Sequence, residues 1–381
     1  MAKITHVFKT YFPETNGGLE EAIRQLGTHA IGHGFQVEVV SVGSENYTIT
    51  PPDGIKTRFF KKTFDVLSNP FSIGFALDFK KICANTDILH FHFPWPTAEL
   101  LALFHTLDKP SLVTFHCDIH KATSLKRLYL PFVIRYLKKM DKICVTSKQL
   151  LSTTPYLKQF RDKIEEIPLF VDENRFSTLP GPDPEIVEFT RGIRNFALFA
   201  GVLRWYKGLD VLLDAAKKID GDIVVVGKGD LYAKLESRIK DENLKNVHLT
   251  GFLSDENLKF LMEKSRLIVL PSITPAEAFG QILLEGLYFS KPLISTELGT
   301  ATSVVNKHNY TGLVVKAGCS RSLARAMNQI LKEDLLCERF SKNAFQHYVD
   351  NFTAEIQGDK YIRIYRSFVN HNQSGSNSAI F

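Results

Sequence analysis

Short runs of β-branched and aromatic residues alternate along this chain with longer stretches whose apolar positions recur at helical spacing. In the first half, Thr5–Phe8, Val37–Val42, Ile88–Phe91, Leu112–Phe115, Lys142–Thr146 and Ile164–Ile167 predict strands. Gly18–His33, Phe71–Ala84, Thr97–Thr106 and Ala122–Met140 predict the helices between them. Alternation at this spacing implies βαβ units and a mostly parallel sheet with helices on both faces.

The pattern then breaks. Leu179–Glu185 packs three prolines and a glycine into seven residues, which reads as a linker or a loop beside a hinge. Alternation restarts with strands predicted at Ala197–Val202, Ile223–Val226, Val247–Leu249, Leu267–Leu270, Pro292–Ser295 and Leu313–Val315. Helices are expected over Gly208–Ile219, Leu231–Asp241, Ser254–Lys264, Gln281–Phe289 and Ser320–Lys332. The expected division is an N-terminal Rossmann-like domain over 1–180 and a second over 181–352. An Asn/Ser-rich tail, 371–381, is expected to be disordered. At 381 residues the chain exceeds what one hydrophobic core usually organises, in line with two domains.

Composition adds limits. Hydrophobic residues at 44% and charged residues at 23% are those of a globular protein. The net charge of +6 is mildly basic, and nothing points to a nucleic-acid partner. Five scattered cysteines without CxxC or Cys/His spacing indicate neither a zinc site nor a disulfide framework. The N-terminus lacks the apolar core of a signal peptide, and no run approaches the ~20 apolar residues that span a bilayer. The expected location is cytoplasmic.

Four loops at the carboxyl ends of predicted strands carry chemistry, and that edge is where open α/β sheets bind ligands. Gly17 and Gly18 open a helix after the first strand, where backbone N–H groups can approach an anion or simply form a tight turn. His116 and Asp118 in Phe115–Lys121 can contact a sugar or bias a developing charge; a plain surface turn capped by Asp118 reads equally well. Arg204 and Lys207 in Gly201–Gly208 supply a forked donor set and a compact charge, suited to a pyrophosphate.

Pro275–Gly286 is the strongest of the four. Gly280 opens an amphipathic run, and free N–H groups around Phe279, Gly280, Gln281 and Ile282 suit a diphosphate at a helix N-terminus. Glu277 sits in the loop where a sugar would lie, and Glu285 is placed to accept hydrogen bonds from ribose hydroxyls. Three signals carry less. Asp220-Gly-Asp222 looks like a metal-binding DxD but joins a helix to a strand at the opposite edge, so it reads as a turn. Gly227-Lys-Gly229 is half a dinucleotide fingerprint, without the third glycine or a ribose acid. His90 and His92 alternate along one strand, which favours packing or cleft lining over metal binding.

Together, Glu277-x7-Glu285 with Phe279-Gly280, Gly227-x-Gly229, Lys207-Gly208, Gly17-Gly18 and Ile167–Asp172 resemble retaining glycosyltransferases of family 4, over nearly the whole chain. Val7–Pro13, His90–Pro94, His116–Ile119 and Leu203–Leu209 are similar to bacterial O-antigen mannosyltransferases. The resemblance implies the GT-B fold: two facing Rossmann-like, doubly wound α/β domains with a cleft between them. It also implies a final helix, 353–370, crossing back to the first domain.

It further implies roles. Glu285 would bind the donor ribose, Glu277 the sugar hydroxyls, and Phe279 and Gly280 the phosphates. Arg204 and Lys207 would neutralise the leaving diphosphate; Arg204 takes a role that the family often gives to an arginine where this chain has Val202. His116 would line the anomeric centre, while Gly17 and Gly18 face donor and acceptor. Gly227 and Gln281 complete the donor set. No metal or other cofactor is expected. The implied partners are a nucleotide sugar, GDP-mannose favoured, and a polyprenyl-diphosphate-linked saccharide. A UDP-sugar-dependent transferase, a non-hydrolysing UDP-sugar epimerase and a sugar-nucleotide sensor remain alternatives.

One charge pattern points elsewhere. Lys109–Lys148 holds nine basic and two acidic residues, and Lys56–Lys62 interleaves bases with Phe59 and Phe60. Either a core-facing helix has a solvated basic side, or the first domain rests on an anionic membrane surface, peripheral at the inner face of the cytoplasmic membrane.

Overall fold

The computed structural model describes residues 1–66, 69–118, 123–193 and 195–377. Residues 119–121 of the His116 loop, Ala122 at the predicted start of the fourth helix and the last four residues of the tail lie outside them. Two compact units result: 1–168 together with 354–381, and 169–353.

In the first unit the strands are β1 (Lys3–Val7), β2 (Gln36–Gly43), β3 (Tyr47–Ile49), β4 (Lys56–Lys61), β5 (Phe64–Val66), β6 (Asn69–Phe71), β7 (Ile88–Phe93), β8 (Ser111–Phe115), β9 (Lys142–Val145) and β10 (Ile164–Glu166). Eight of them form a sheet in the order β10-β9-β8-β7-β1-β2-β4-β3, and β5 pairs β6 separately. All pairs in the large sheet are parallel except β3 with β4 at its edge. The six strands predicted in this half are present. β3 to β6 were not anticipated.

That omission corrects the reading of Lys56–Lys62. Phe59 and Phe60 are buried in the first unit's core, so these aromatics are not offered to lipid. Charge at Lys56, Arg58 and Lys61 hid a strand that pairs on both sides, with β2 and β3. The Thr123–Lys139 helix likewise turns Val133, Tyr136 and Leu137 into the core and leaves Arg127, Leu128, Arg135 and Lys138 exposed.

The second unit adds β11 (Ala197–Ala200), β12 (Ile223–Val226), β13 (Val247–Gly251), β14 (Leu267–Leu270), β15 (Leu293–Glu297) and β16 (Gly312–Lys316). Their order is β13-β12-β11-β14-β15-β16, parallel throughout. From β11 the chain winds outward through β12 and β13, then returns to β14 on the other side of β11. The carboxyl ends of β11 and β14 are therefore a topological switch point, where helices leave on opposite faces and a crevice opens. In the first unit the switch lies between β1 and β7.

Three boundaries differ from expectation. The units divide at Pro168/Leu169, ahead of the proline-rich loop, because 169–183 is bonded into the second unit. Tyr348 Oη donates to Val171 O at 3.1 Å, and Asp183 N donates to Asn257 Oδ1 at 2.9 Å. A helix over Asp334–Asn351, not predicted, buries Phe340, Ala344, His347 and Tyr348 along one face. The last helix, Asp359–Asn377, belongs to the first unit and runs past His371, where disorder was expected.

Candidate functional site

At the second unit's switch point, the loop after β11 carries Lys207 and the loop after β14 carries Glu277. Gly208, at φ +71°, lets them meet: a Cβ there would stand 2.0 Å from Pro271 O. Lys207 Nζ lies 2.5 Å from Glu277 Oε2, which also accepts from Ser272 Oγ at 2.9 Å. Thr300 Oγ1 donates to the backbone O of Glu277 at 2.9 Å, so the loop is held from two sides. Charged hydrogen bonds of this kind fix a geometry before any ligand arrives.

Gly280 (φ +80°) starts the Gln281–Tyr288 helix. Its Cβ would press 2.7 Å from Leu270 Cδ2, so glycine is required by space as well as by angle. Phe279 is buried. The side-chain Oε1 and Nε2 of Gln281 are both shielded from water without a partner among the described residues. Unpaired buried amides are costly, and a ligand would satisfy them.

Glu285 lies over a turn further along the same helix, also buried. Arg175 Nη1 reaches its Oε1 at 2.6 Å, and Arg175 Nη2 lies 3.3 Å from Asp255 Oδ1. Sequence reasoning missed Arg175: it sits in a four-residue helix, Asn174–Ser177, that no periodicity announces. Arg204 is exposed and forms no ion pair among the described residues. Gly227 donates its N–H to Gly251 O at 2.8 Å, and a Cβ on it would strike Gly201 O at 1.9 Å. Its role in the structure is close approach of two loops, with no N–H left for a donor. Asp220 and Asp222 flank a turn and pair with Lys332 and His248.

The first unit holds neutral groups instead. His6 on β1, His92 on β7 and His116 just past β8 form a head-to-tail chain. His6 Nδ1 lies 2.9 Å from His92 Nε2, and His92 Nδ1 lies 3.0 Å from His116 Nε2. The linked rings are nearly parallel, at 18° and 19°, as coplanar imidazoles hydrogen-bonded edge to edge would be. His90 lies against His92 at 4.4 Å between ring centres and bonds Tyr365 Oη and Thr114 Oγ1 at 2.7 Å each. Burial drops the His6 and His116 pKa values to about 3 and holds those of His90 and His92 well below 6.5, so all four are neutral.

A neutral chain of this kind has two self-consistent registers: every proton on Nδ1, or every proton on Nε2. The open ends are His6 Nε2 and His116 Nδ1, both buried without a partner among the described residues. His116 Nδ1 is thus a donor in one register and an acceptor in the other. Its proton position is coupled to that of His6, two strands away. The sequence singled out His90, His92 and His116 but not His6, which pairs His90 across β1 and β7.

Gly17 caps and Gly18 opens the Gly18–Gly32 helix, as expected. A Cβ on Gly17 would sit 2.6 Å from Glu20 Oε2, and Glu20 and Glu21 already occupy the helix's positive end. Asp118 accepts from Tyr156 Oη at 2.8 Å.

Two Rossmann-like units with these switch points define the GT-B class of sugar-transferring enzymes. Residues 16–175 match glycosyltransferase family 4, and residues 187–347 match the glycosyl transferases group 1. The chain is 33% identical to an O-antigen chain mannosyltransferase C of Escherichia coli, across 96% of this chain and 99% of that one. It is 36% identical to the D-rhamnosyltransferase WbpZ of Pseudomonas aeruginosa, with 92% of each covered. Its fold is similar to that of Anabaena Alr3699/HepE solved with UDP and glucose: TM-score 0.77, 16% identity, 96% and 100% of the chains covered. The chain belongs to glycosyltransferase family 4, and it is a hexosyltransferase.

Proposed function

We propose that this enzyme moves a hexose, with retention, from a nucleotide sugar onto a lipid-linked saccharide in the assembly of an O-antigen or related surface polysaccharide. GDP-mannose is the favoured donor and a polyprenyl-diphosphate-linked sugar the acceptor. The observation that carries this reading is the Lys207–Glu277 pair at the start of the Gln281–Tyr288 helix, beside the unpaired Gln281 amide. As the diphosphate leaves, the sugar centre becomes oxocarbenium-like. A cation already fixed at the phosphates stabilises the charge developing there without reorganisation. Arg204, exposed and unpaired, has freedom to join it. Glu285 meets the ribose, with Arg175 holding the carboxylate in place. The likeness to a mannosyltransferase and a rhamnosyltransferase supports transfer of a hexose or deoxyhexose within this chemistry.

No metal is required in this scheme, since protein cations do the neutralising. A panel of GDP-mannose, GDP-rhamnose, UDP-glucose and UDP-GlcNAc, offered with a lipid-linked GlcNAc acceptor, tests it. Product is expected with GDP-mannose and persists in EDTA. Turnover with UDP sugars alone, interconversion of donor without acceptor, or a manganese requirement would each overturn the corresponding part. Membrane contact is proposed through the exposed Arg127, Leu128, Arg135 and Lys138 face. Among the described residues no helix is long and apolar enough to cross a membrane. Flotation should need anionic vesicles and weaken with salt; equal recovery with neutral ones refutes it.

A further inference from the structure

Away from both switch points, the first unit gathers two imidazoles and a carboxylate at the meeting of two helix ends. His29 lies in the last turn of the Gly18–Gly32 helix, His33 caps it one turn on, and Asp359 opens the Asp359–Asn377 helix. Asp359 Oδ1 stands 2.8 Å from His29 Nε2 and 3.4 Å from His33 Nε2. One ligand atom from each residue can be chosen so that all three lie within 4.8 Å of one another.

The protons at this cluster are constrained. His33 Nδ1 lies 2.9 Å from the backbone O of His29. A carbonyl only accepts, so Nδ1 carries the proton, and a neutral His33 turns its Nε2 lone pair toward the Asp359 carboxylate. Two lone-pair atoms then face each other across 3.4 Å. A positive charge between them converts that repulsion into attraction. Backbone is shaped to the same end: a Cβ on Gly358 would stand 2.7 Å from His29 Cδ2 and 2.9 Å from its Nε2. Only glycine lets the carboxylate-bearing chain approach the ring this closely.

We propose that His29, His33 and Asp359 bind a borderline divalent cation of the zinc type, which ties the returning C-terminal helix to the first helix. Two histidines at i and i+4 present their nitrogens on one helix face, and imidazole suits zinc, cobalt, nickel and copper. Tetrahedral zinc, with bonds of about 2.0–2.1 Å, separates its ligand atoms by about 3.3–3.4 Å. One pair already has that spacing, and the closer pair opens once its shared proton is displaced. The His33 Nδ1–carbonyl bond fixes the metal-binding tautomer, as outer-shell partners of zinc histidines do. Asp359 and His33 are partly exposed, leaving a water to complete the fourth position. None of these residues belongs to the sugar-transfer set, so the proposal stands apart from the metal-free transfer reading.

The full-length chain, stripped of metal and dialysed, tests it. Titration with Co²⁺ should develop the visible bands of a tetrahedral site, and Zn²⁺ should bind at one equivalent by calorimetry and raise the melting temperature. His33→Gln and Asp359→Asn should each weaken Zn²⁺ binding about tenfold or more and abolish the melting shift. Both substitutions are at partly exposed positions, and melting of the metal-free variants checks that they fold. Absence of Co²⁺ bands and Zn²⁺ heat would mean that the cluster is held by its own hydrogen bonds without an ion, overturning the proposal. Undiminished binding in both variants would place the ion elsewhere and overturn it as well.

Discussion

The two units share a winding plan and differ in what they bury at the switch point. The second buries opposite charges: Lys207 against Glu277, and Arg175 against Glu285. The first buries neutral rings, with His6, His92 and His116 linked edge to edge and His90 against them. Burying a charge is tolerable only when it is paired, and such pairs prepare a site for a charged ligand. Burying a neutral imidazole is less costly, and it preserves a group that can give or take one hydrogen bond. The same topology thus furnishes an ionic switch point in one unit and a neutral one in the other.

Breaking the ionic half should have the largest effect. Arg175→Ala removes the guanidinium that pairs with the buried Glu285, and is expected to remove about 3–5 kcal/mol from the second unit's stability. Urea denaturation followed by circular dichroism should show one transition moved to lower urea and the other in place. An unchanged profile would mean that Glu285 has enough other partners.

Next comes catalysis. Lys207→Ala and Arg204→Ala should each lose about 2–4 kcal/mol of transition-state stabilisation in kcat/KM. Because Lys207 and Glu277 touch, the double variant Lys207→Ala with Glu277→Ala should lose less than the two single losses combined. Glu277→Ala should act mainly on kcat, and Glu285→Ala mainly on donor binding. Wild-type kcat/KM in both glutamate variants would dismiss the site.

Acid should then separate the halves. The His6 and His116 pKa values are depressed to about 3 when folded, so between about pH 6.5 and 3 the unfolded chain binds more protons. Stability contributed by these rings is present above pH 6.5 and lost as pH falls; at pH 5 each accounts for about 2 kcal/mol. His90 and His92 act in the same direction. Glu99 opposes them: burial raises its carboxyl to about 7, so it favours folding at low pH and loses that advantage as pH rises through 7. One carboxyl against four imidazoles does not reverse the sign. Trp95, buried in the first unit, should report unfolding on acidification before the second unit yields. Simultaneous loss of both would erase the contrast.

The smallest expected effect sharpens the neutral half. His92→Phe cuts the chain between His6 and His116 and should lower kcat about tenfold, the worth of one buried hydrogen bond, with KM little changed. Nitrogen-15 shifts of His116 should differ between wild type and variant, because the variant uncouples its tautomer from that of His6. An identical spectrum would show that His116 sets its own proton.

Much of this could be read from the residues. Apolar runs such as Ile223–Val226 and Leu267–Leu270 coincide with strands because a strand buried on both faces has no polar option. The helix start at Gly280 was legible, since a glycine before an apolar helical run marks one; the burial of Glu277 and Glu285 beside it was not. β4 was not: its outward charges disguised it, and pairing with strands distant in sequence decided its place.

Local chemistry alone determined the alternation, the switch-point loops and the residue types within them. Only tertiary structure decided who meets whom. Arg175 lies 110 positions from Glu285, and His6 lies 86 from His92, separations across which no periodicity carries information. It also decided that Glu20 packs beside Gly17, and that Gly227 gives its N–H to a neighbouring loop. A sequence records which groups can bond; packing, by excluding water, selects the partner each one must take.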